Sequence, residues 1–285
     1  HLSIRRQRQM CIRDRGWIVA AVGIGTPAAF AAALVHTLAH ALFKSSLFML
    51  IGVIDHETGT RDIRRLGKIY NKMPFTFASV VVAASSMAAV PPLFGFVSKE
   101  SILEAFHQTQ YGTVLLVLAG LAAFLTFVYS AKIVFGAFID GTRDMSGVHE
   151  APVSLWLPAA VPGLMSVPAV FGLSLIDGPV TRAVHSITGD NSYESHLALW
   201  HGITWPFIVS ALVLAAGIAF IFVRKPVYKA LENKMLLPYT GNEILRMIVN
   251  ASEQVGRLAG SMADSYNPSR HLKLSLIHIS EPTRR

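Results

Sequence analysis

The sequence predicts an all-α fold, a polytopic bundle of transmembrane helices. Hydrophobic residues make up 52% of the chain and charged residues 15%, whereas charged residues are about 25% of an ordinary globular protein. Uncharged or nearly uncharged runs of more than 25 residues recur along the chain, and about 18 apolar residues are enough for a helix to cross a bilayer. The single cysteine, Cys11, excludes a disulfide framework and a cysteine-ligated metal site within the chain. We therefore interpret the chain as a multi-span membrane protein.

The two ends of the chain are predicted to be foreign to this bundle. Residues 1–15 carry five Arg and one Asp without a helical period, and residues 275–285 have no relation to the apolar runs either. Both segments resemble translated sequencing-adaptor read-through, so we exclude them from the fold prediction. They contribute +4 and +1 to the formal net charge of +8, and the remaining +3 removes most of the argument for nucleic-acid binding. Because the first residue is His1 rather than Met, we expect an internal fragment.

Residues 16–223 are predicted to form one partial span and five full spans. In the first apolar tract, the Gly25-Thr26-Pro27 break separates a truncated helix over 16–25 from a full helix that begins with Pro27, since proline favours the first turn of a helix. Four prolines lie between residues 151 and 176, so the span over this range should be kinked. The other full spans are expected over 73–98, 111–139 and 195–223.

Lysine and arginine residues accumulate in alternate loops, and this bias predicts the orientation, because cytoplasmic loops are enriched in these residues. The loop 56–72 carries five of them and the stretch 224–234 carries four, while the predicted loops 102–110, 140–150 and 177–194 carry at most one each. We therefore expect the loop 56–72 and everything after Val223 to be cytoplasmic. The segment 224–274 is mixed in polarity and is predicted to form one or two amphipathic helices against the membrane surface or a partner.

His36, His40 and Lys44 form the most informative stretch of the sequence. Their i, i+4, i+8 spacing places the three side chains on one face of a helix, about one turn apart. A charge in the middle of a bilayer costs about 3 kcal/mol, so titratable groups inside a span are functional by default. Imidazole titrates near neutral pH, and the row is therefore predicted to be a path for protons. The alternative is a polar stripe that holds helices together by hydrogen bonds.

A metal site is the competing chemical interpretation of the two histidines. His36 and His40 have the spacing of a zinc-binding helix, but the glutamate of that motif is absent, since position 37 is Thr37. The span also lacks an Asp, Glu or Cys as a further ligand. We therefore predict no metal and no other cofactor.

The second informative stretch surrounds a predicted helix break. Pro91 and Pro92 lack backbone donors and Gly95 loosens the chain, so the helix should be interrupted there. Broken helices occur in membranes where they line a cavity, and transporters place ion sites at such breaks. The residues at this break are therefore candidates for an ion pathway.

Three charged residues near these spans are weaker candidates. Lys99 follows the break, and by the sequence alone it belongs either to the proton path or to the membrane interface, where its ammonium could snorkel. Glu100 and Lys132 are minor candidates. Snorkelling or a structural hydrogen bond is the favoured interpretation of Lys132, which lies seven residues from the end of its span.

These motifs resemble the A subunit of the Mrp-type multisubunit Na+/H+ antiporter family. The resemblance lies in the run from His36 to Leu50, in the Asp-His-Glu-Thr-Gly-Thr-Arg-Asp run that begins at Asp55, and in the Pro-Pro-Leu-Phe-Gly-Phe-Val-Ser-Lys-Glu run that begins at Pro91. It covers residues 16–274 and is looser beyond residue 139. The wider group includes the chain-5 subunit of respiratory complex I and related membrane subunits of hydrogenases.

The resemblance implies a partial antiporter-like fold, from the end of helix 10 to helix 15 of a larger bundle, with one broken helix. It also implies that His36, His40 and Lys44 belong to a central hydrophilic axis, and that Lys99 connects this axis to one face of the membrane. The family's glutamate–lysine pair lies on earlier helices that this sequence does not contain. We therefore do not expect the fragment to transport ions alone.

The function expected from these observations is that of an ion-translocating membrane subunit of a cation/proton antiporter. An enzyme is disfavoured, since no nucleophile–base set or phosphate-binding loop stands out. The expected partners are other subunits of a hetero-oligomeric antiporter complex, the lipid bilayer, protons and Na+, with K+ as an alternative, and no nucleic acid. The expected location is the cell membrane of a prokaryote. Two alternatives remain: the homologous proton-pumping subunit of a redox-driven complex, and a membrane scaffold that transports nothing.

Overall fold

The computed structural model describes residues 15–199, 202–231 and 241–263. Within these ranges the chain is helical, and an isolated bridge between Gly67 and Arg143 is the only extended pairing, which confirms the predicted all-α class. The described residues form two compact units that divide between Val223 and Arg224. The helices are α1 Gly16–Ile24, α2 Pro27–Thr58, α3 Pro74–Met87, α4 Phe94–His107, α5 Gly112–Phe138, α6 Val153–Leu164, α7 Pro168–Phe171, α8 Leu173–Thr188, α9 Trp205–Leu231 and α10 Gly241–Ala263.

Helix α2 is the centre of the first unit and contacts α1, α3, α4, α6 and α8. It begins where the sequence predicts, because the Thr26 side chain accepts a hydrogen bond from the Ala29 amide at 3.2 Å and Pro27 occupies the first turn. It ends before Gly59, whose φ of 69° lies in the left-handed region that glycine adopts at low cost. Its 32 residues make it about 48 Å long, which exceeds the hydrocarbon core of a bilayer, about 30 Å.

The predicted break divides the next span into α3 and α4. Helix α3 ends at Met87 and α4 begins at Phe94, with Pro91 and Pro92 between them. Helix α4 continues to His107, so the predicted span end at residue 98 and the predicted loop over 102–110 are wrong. The helix continues because its apolar stripe does: Ile102, Leu103, Ala105 and Phe106 are all buried against the core.

Gly95 lies in the first turn of α4, where the two halves of the broken helix cross. Its amide donates a hydrogen bond to Ser86 Oγ at 3.2 Å. A Cβ added at this position would lie 1.8 Å from the carbonyl oxygen of Ser86. The glycine is therefore required by a close approach of two backbones. This corrects the expectation that it serves to loosen the chain.

The predicted span over 151–176 is divided among three helices. Helix α6 accommodates Pro158 and Pro162 in its interior, but the chain turns between Leu164 and Pro168, and α8 then runs on to Thr188. The predicted loop over 177–194 is therefore mostly helical. Charged residues do not end α8, because buried apolar residues keep a helical spacing along one face: Leu173, Val180 and Val184.

Helix α9 begins at Trp205, ten residues after the predicted start of the span at Ser195, and ends at Leu231, beyond the predicted end. Asp177 on α8 holds the preceding segment in a non-helical conformation. Its Oδ1 accepts hydrogen bonds from Ser195 Oγ at 3.0 Å and from the amide of Leu197 at 2.9 Å. Tertiary contacts therefore override the apolar character of this segment.

The multi-span prediction is confirmed, with a difference in the number of continuous spans. The predicted span over 73–98 is divided between α3 and α4, which have 14 residues each and are about 21 Å long. Among the described residues, four helical segments are long and apolar enough to cross a membrane: Pro27–Thr58, Gly112–Phe138, Val153–Phe171 and Trp205–Ala230.

The second unit contains α10, a helix of 23 residues within the predicted amphipathic segment 224–274. Its exposed apolar side chains include Met247, Ile248, Val255 and Leu258. A cytoplasmic location for this segment stays a prediction. The predicted foreign ends, 1–15 and 275–285, lie outside the described residues except for Arg15.

Replacing Gly95 by alanine should destabilise the crossing of the broken helix. The added Cβ would meet the backbone carbonyl of Ser86, which cannot move aside without shifting α3. We expect Gly95→Ala to lower the free energy of unfolding by about 2 kcal/mol. The measurement is the melting temperature of the purified subunit in detergent, together with its amount in membranes.

Gly52→Ala on α2 is the matched control, because nothing lies within 4 Å of the Cβ position of Gly52. Alanine is a better helix former than glycine by about 1 kcal/mol, so this variant should keep or raise the melting temperature. Equal melting temperatures for Gly95→Ala and the wild type would contradict the close crossing.

Candidate functional site

A cavity of about 570 Å³ lies between α1, α2, α4 and α5. Tyr129 on α5 and Met87 at the end of α3 also face it, and the rest of its wall is mainly apolar. The cavity brings together titratable residues from the two sequence motifs. All four residues of the predicted proton path line it: His36, His40, Lys44 and Lys99.

The three α2 residues form a row along one wall of this cavity. His36 is 2% exposed and Lys44 is 8% exposed, while His40 is half-buried. The imidazole centroids of His36 and His40 are 6.3 Å apart, and Phe43 packs edge-on against His40 at 5.5 Å. The i, i+4, i+8 spacing thus produces the row that the sequence predicts, facing a cavity in the protein.

Ser98 on α4 connects His36 on α2 to the broken helix. Its Oγ lies 3.0 Å from His36 Nδ1 and 3.0 Å from the carbonyl oxygen of Gly95. Which of the two groups donates depends on the tautomer of His36, because the serine hydroxyl has one proton. In either direction the bond holds the imidazole ring against α4.

Lys44 is held by the tyrosine on α5. Its Nζ donates a hydrogen bond to Tyr129 OH at 3.3 Å and lies 5.4 Å from the centroid of the tyrosine ring. The tyrosine hydroxyl in turn donates to Met87 Sδ at 3.0 Å. The hydroxyl contact is favourable for an ammonium group, because it offers an oxygen lone pair.

Lys99 caps the end of the first half of the broken helix. It is 4% exposed, and its Nζ donates to the carbonyl oxygen of Met87 at 2.8 Å. The last carbonyls of a helix lack partners within the helix, and the C-terminal end of a helix is electronegative. A buried lysine at this position therefore satisfies a carbonyl and meets a favourable field. The alternative position at an exposed interface does not apply to Lys99.

Glu100 is directed toward a different space from that of Lys99. It is 8% exposed, and its Oε2 accepts a hydrogen bond from Ser210 Oγ on α9 at 2.6 Å. It lines a second cavity of about 270 Å³, whose wall also contains Glu104 and Glu194. Successive residues on a helix point about 100° apart, which explains why neighbours in sequence reach separate cavities.

Lys132 is outside this arrangement. It is exposed on α5 and is not among the residues that line either cavity. This position agrees with the favoured interpretation of Lys132, which is snorkelling or a structural hydrogen bond. Among the described residues, no three His, Cys, Asp or Glu side chains are close enough to hold a metal ion.

Sequence reasoning missed the partners that orient the titratable groups. Tyr129 bonds to a lysine 85 positions away, and Ser210 bonds to a glutamate 110 positions away. No local pattern signals either contact. The only available signal for Ser98 was its position directly before Lys99 in the second motif.

The first part of the chain matches a known protein family. Residues 11–126 match the family described as NADH:quinone oxidoreductase/Mrp antiporter, transmembrane. This range includes the broken helix and all four residues of the predicted path.

The similarity extends over most of the chain, but only over part of each relative. The chain is 32% identical to the Na(+)/H(+) antiporter A subunit of Bacillus subtilis (strain 168), over 79% of the chain and 31% of the relative. It is 34% identical to the probable K(+)/H(+) antiporter A/B subunit of Rhizobium meliloti (strain 1021), over 79% of the chain and 24% of the relative. The chain thus spans about a third or less of these curated relatives. The resemblance to the A subunit of the Mrp type is confirmed.

Two solved structures share the fold. A chain of the Mrp complex from Dietzia sp. DQ12-45-1b matches with a TM-score of 0.72 and 37% identity, over 93% of this chain and 29% of that chain. A chain of the membrane-bound sulfane sulfur reductase, an archaeal respiratory membrane complex, matches with a TM-score of 0.52 and 21% identity, over 93% of this chain and 49% of that chain. The second likeness concerns the fold alone. The antiporter-like fold is therefore confirmed.

Ser98→Ala should destabilise the site, because it removes the hydroxyl that is bonded to His36 Nδ1. Leaving a buried polar atom without a partner costs about 1–3 kcal/mol, and we expect the melting temperature of the purified subunit to fall by about 2–4 °C for each kcal/mol lost. The control is Ser101→Ala on the same helix, whose hydroxyl donates to the carbonyl of Val97 one turn earlier. Equal melting temperatures for the two variants would contradict the assigned bond.

Proposed function

We propose that this chain forms part of the ion-translocating membrane subunit of an Mrp-type Na+/H+ antiporter. The observation that carries the proposal is one cavity within the bundle that is lined by four titratable side chains. The names of the relatives support it, since they are antiporter subunits. Because the chain spans only part of each relative, the activity is proposed for the complete subunit within its complex.

The proposed proton path runs along α2 and then to α4. Imidazole is the side chain that suits proton transfer near the pH of the cell. The ring centroids of His36 and His40 are 6.3 Å apart, which is too far for a direct hydrogen bond. Water must therefore carry the proton between them. A cavity of about 570 Å³ has room for several waters, at about 30 Å³ for each.

Lys44 and Lys99 are proposed to control the path by their charge. Inside a low-dielectric bundle, a protonated and a neutral lysine differ by several kcal/mol in their effect on neighbouring charges. Lys44 lies at the end of the histidine row, and Lys99 lies at the break, within the same cavity. A change in charge at Lys44 would therefore alter which side of the path can exchange protons.

The two alternatives have less support. The relatives at 31–34% identity are named as antiporter subunits, which favours the antiporter over a redox-driven pump and a transporter over an enzyme. A scaffold would bury His36, His40 and Lys44 in a dry interface, whereas all three line a cavity. The scaffold hypothesis is therefore disfavoured by the geometry.

The partners and location follow from the same relatives. One solved relative is part of an Mrp complex, and others are named as subunits, so other subunits are the expected partners. The apolar helices and the family describe a multi-pass membrane protein of a prokaryote. We propose Na+ as the exchanged cation, with K+ as the alternative, since the relatives' names include both.

Lys44→Ala should abolish or severely reduce antiport in the complete complex. Alanine keeps the helix and removes the titratable group. Lys44→Arg should also impair antiport, because a guanidinium does not release its proton in the accessible pH range. His40→Ala should be milder, since water can replace the imidazole in the relay. The measurement is cation-driven proton flux in everted vesicles, with Na+ and K+ compared and the subunit quantified in the same membranes.

Lys132→Ala is the matched control for the loss of an intramembrane lysine, because Lys132 is exposed and lies outside the cavity. This variant should keep most of the wild-type flux. Normal flux in Lys44→Ala, at equal amounts of subunit, would contradict the proton path and favour the scaffold.

Lys68→Cys should test the proposed orientation of the basic loop 56–72. In a Cys11→Ser background, this exposed position should be protected from an impermeant maleimide added to intact cells and should react in everted vesicles. Gln110→Cys, in the exposed turn after α4, should show the opposite pattern. Labelling of Lys68→Cys in intact cells would overturn the orientation.

A further inference from the structure

Tyr129 connects the two lysines of the site through the broken end of α3. Its hydroxyl accepts a hydrogen bond from Lys44 Nζ at 3.3 Å and donates one to Met87 Sδ at 3.0 Å. The carbonyl oxygen of the same Met87 accepts a hydrogen bond from Lys99 Nζ at 2.8 Å. One methionine at the end of a helix therefore contacts both the tyrosine and the second lysine.

We propose that Tyr129 is a positioning residue that holds the Lys44 ammonium against the end of α3 and so sets the pH range in which antiport operates. The inference rests on the proposed function, because it concerns the proton that Lys44 exchanges. Neither the sequence motifs nor the family match includes Tyr129, which lies beyond the matched range 11–126.

The hydrogen-bond directions support a specific effect on the charge of Lys44. The one proton of the tyrosine hydroxyl is donated to Met87 Sδ, so the lone pairs of the oxygen are available to the lysine. The ammonium lies 5.4 Å from the ring centroid but 3.3 Å from the hydroxyl oxygen, so it lies at the hydroxyl end of the ring. The oxygen is therefore the part of Tyr129 that stabilises the protonated form of Lys44.

Met87 gives the tyrosine a fixed direction. Its side chain is 1% exposed, and its position at the end of α3 is determined by the crossing of the two half-helices. The sulfur is a weak acceptor, and it receives the tyrosine hydroxyl at 3.0 Å. The break thus determines the orientation of the group that faces Lys44, as well as the position of Lys99.

Tyr129→Phe is the decisive variant, because it keeps the aromatic ring and removes only the oxygen. The protonated form of Lys44 then loses one acceptor, so the pH profile of antiport should move toward lower pH. We expect the pH profile to shift by about one pH unit, because the loss of one hydrogen bond to a charged group produces a change of that order. The experiment measures cation-driven proton flux against pH in everted vesicles that contain the complete complex.

Ser130→Ala is the matched control. Ser130 is the next residue on α5, is 2% exposed, and donates its hydroxyl to the carbonyl of Thr126 in the same helix at 2.7 Å. This variant also removes one buried hydroxyl from α5, but from outside the cavity. Its pH profile should coincide with that of the wild type.

Met87→Leu provides a second test that does not depend on the first variant. Leucine replaces the sulfur at similar volume, a change that cores tolerate well, and keeps the backbone carbonyl that Lys99 uses. Because the sulfur acts through the tyrosine hydroxyl, Met87→Leu should shift the pH profile in the wild-type background and cause no further shift in the Tyr129→Phe background. A purely structural role predicts two independent effects.

The outcomes separate this inference from the proposed function. If Lys44→Ala abolishes flux while Tyr129→Phe keeps the wild-type pH profile, the positioning role is overturned and the proton path stands. If Lys44→Ala has normal flux, the proton path itself is overturned. If Tyr129→Phe does not assemble, the Met87→Leu profile decides: a shift supports the positioning role, and an unchanged profile contradicts it.

Discussion

The broken helix imposes the requirement on which the rest of the site depends. Where α3 ends at Met87, its last carbonyls have no partners within the helix, and a buried polar group left without a partner costs about 1–3 kcal/mol. Lys99 satisfies one of these carbonyls, because its Nζ donates a hydrogen bond of 2.8 Å to the carbonyl oxygen of Met87. The lysine can reach it because α4 crosses α3 in backbone contact at Gly95, where a side chain would not fit. A steric condition at one glycine thus determines where a buried charge lies.

Helix α4 contributes to two cavities of different character. One is lined by two histidines and two lysines, and the other by three glutamates and His196. Lys99 faces the first cavity, and Glu100, bonded to Ser210 of α9, faces the second. The short second half of a broken helix therefore presents a basic and an acidic group to separate cavities.

Much of this arrangement could be predicted from the sequence, and the remainder shows the limits of local patterns. The row of His36, His40 and Lys44 follows from helical periodicity, and the break follows from two adjacent prolines, because both are properties of a few neighbouring residues. The sequence misplaces the ends of α4 and α8. Charged residues suggest span boundaries there, but buried apolar residues continue both helices beyond them. Tyr129 and Ser210 could not be found, because their partners lie 85 and 110 residues away and are brought near only by packing.

The row of titratable groups on α2 extends over a large part of the membrane thickness, so the membrane potential would act on a charge that moves along it. Eight residues separate His36 from Lys44, which is about 12 Å along the helix axis, or about 40% of a hydrocarbon core of about 30 Å. One elementary charge that crosses the whole membrane gains about 2.3 kcal/mol for each 100 mV. A proton that moves along this row in a helix parallel to the membrane normal would therefore gain or lose about 0.9 kcal/mol for each 100 mV. On the proposed path, charge transfer along α2 would therefore be an electrogenic step, and its rate would respond to voltage as well as to the proton gradient.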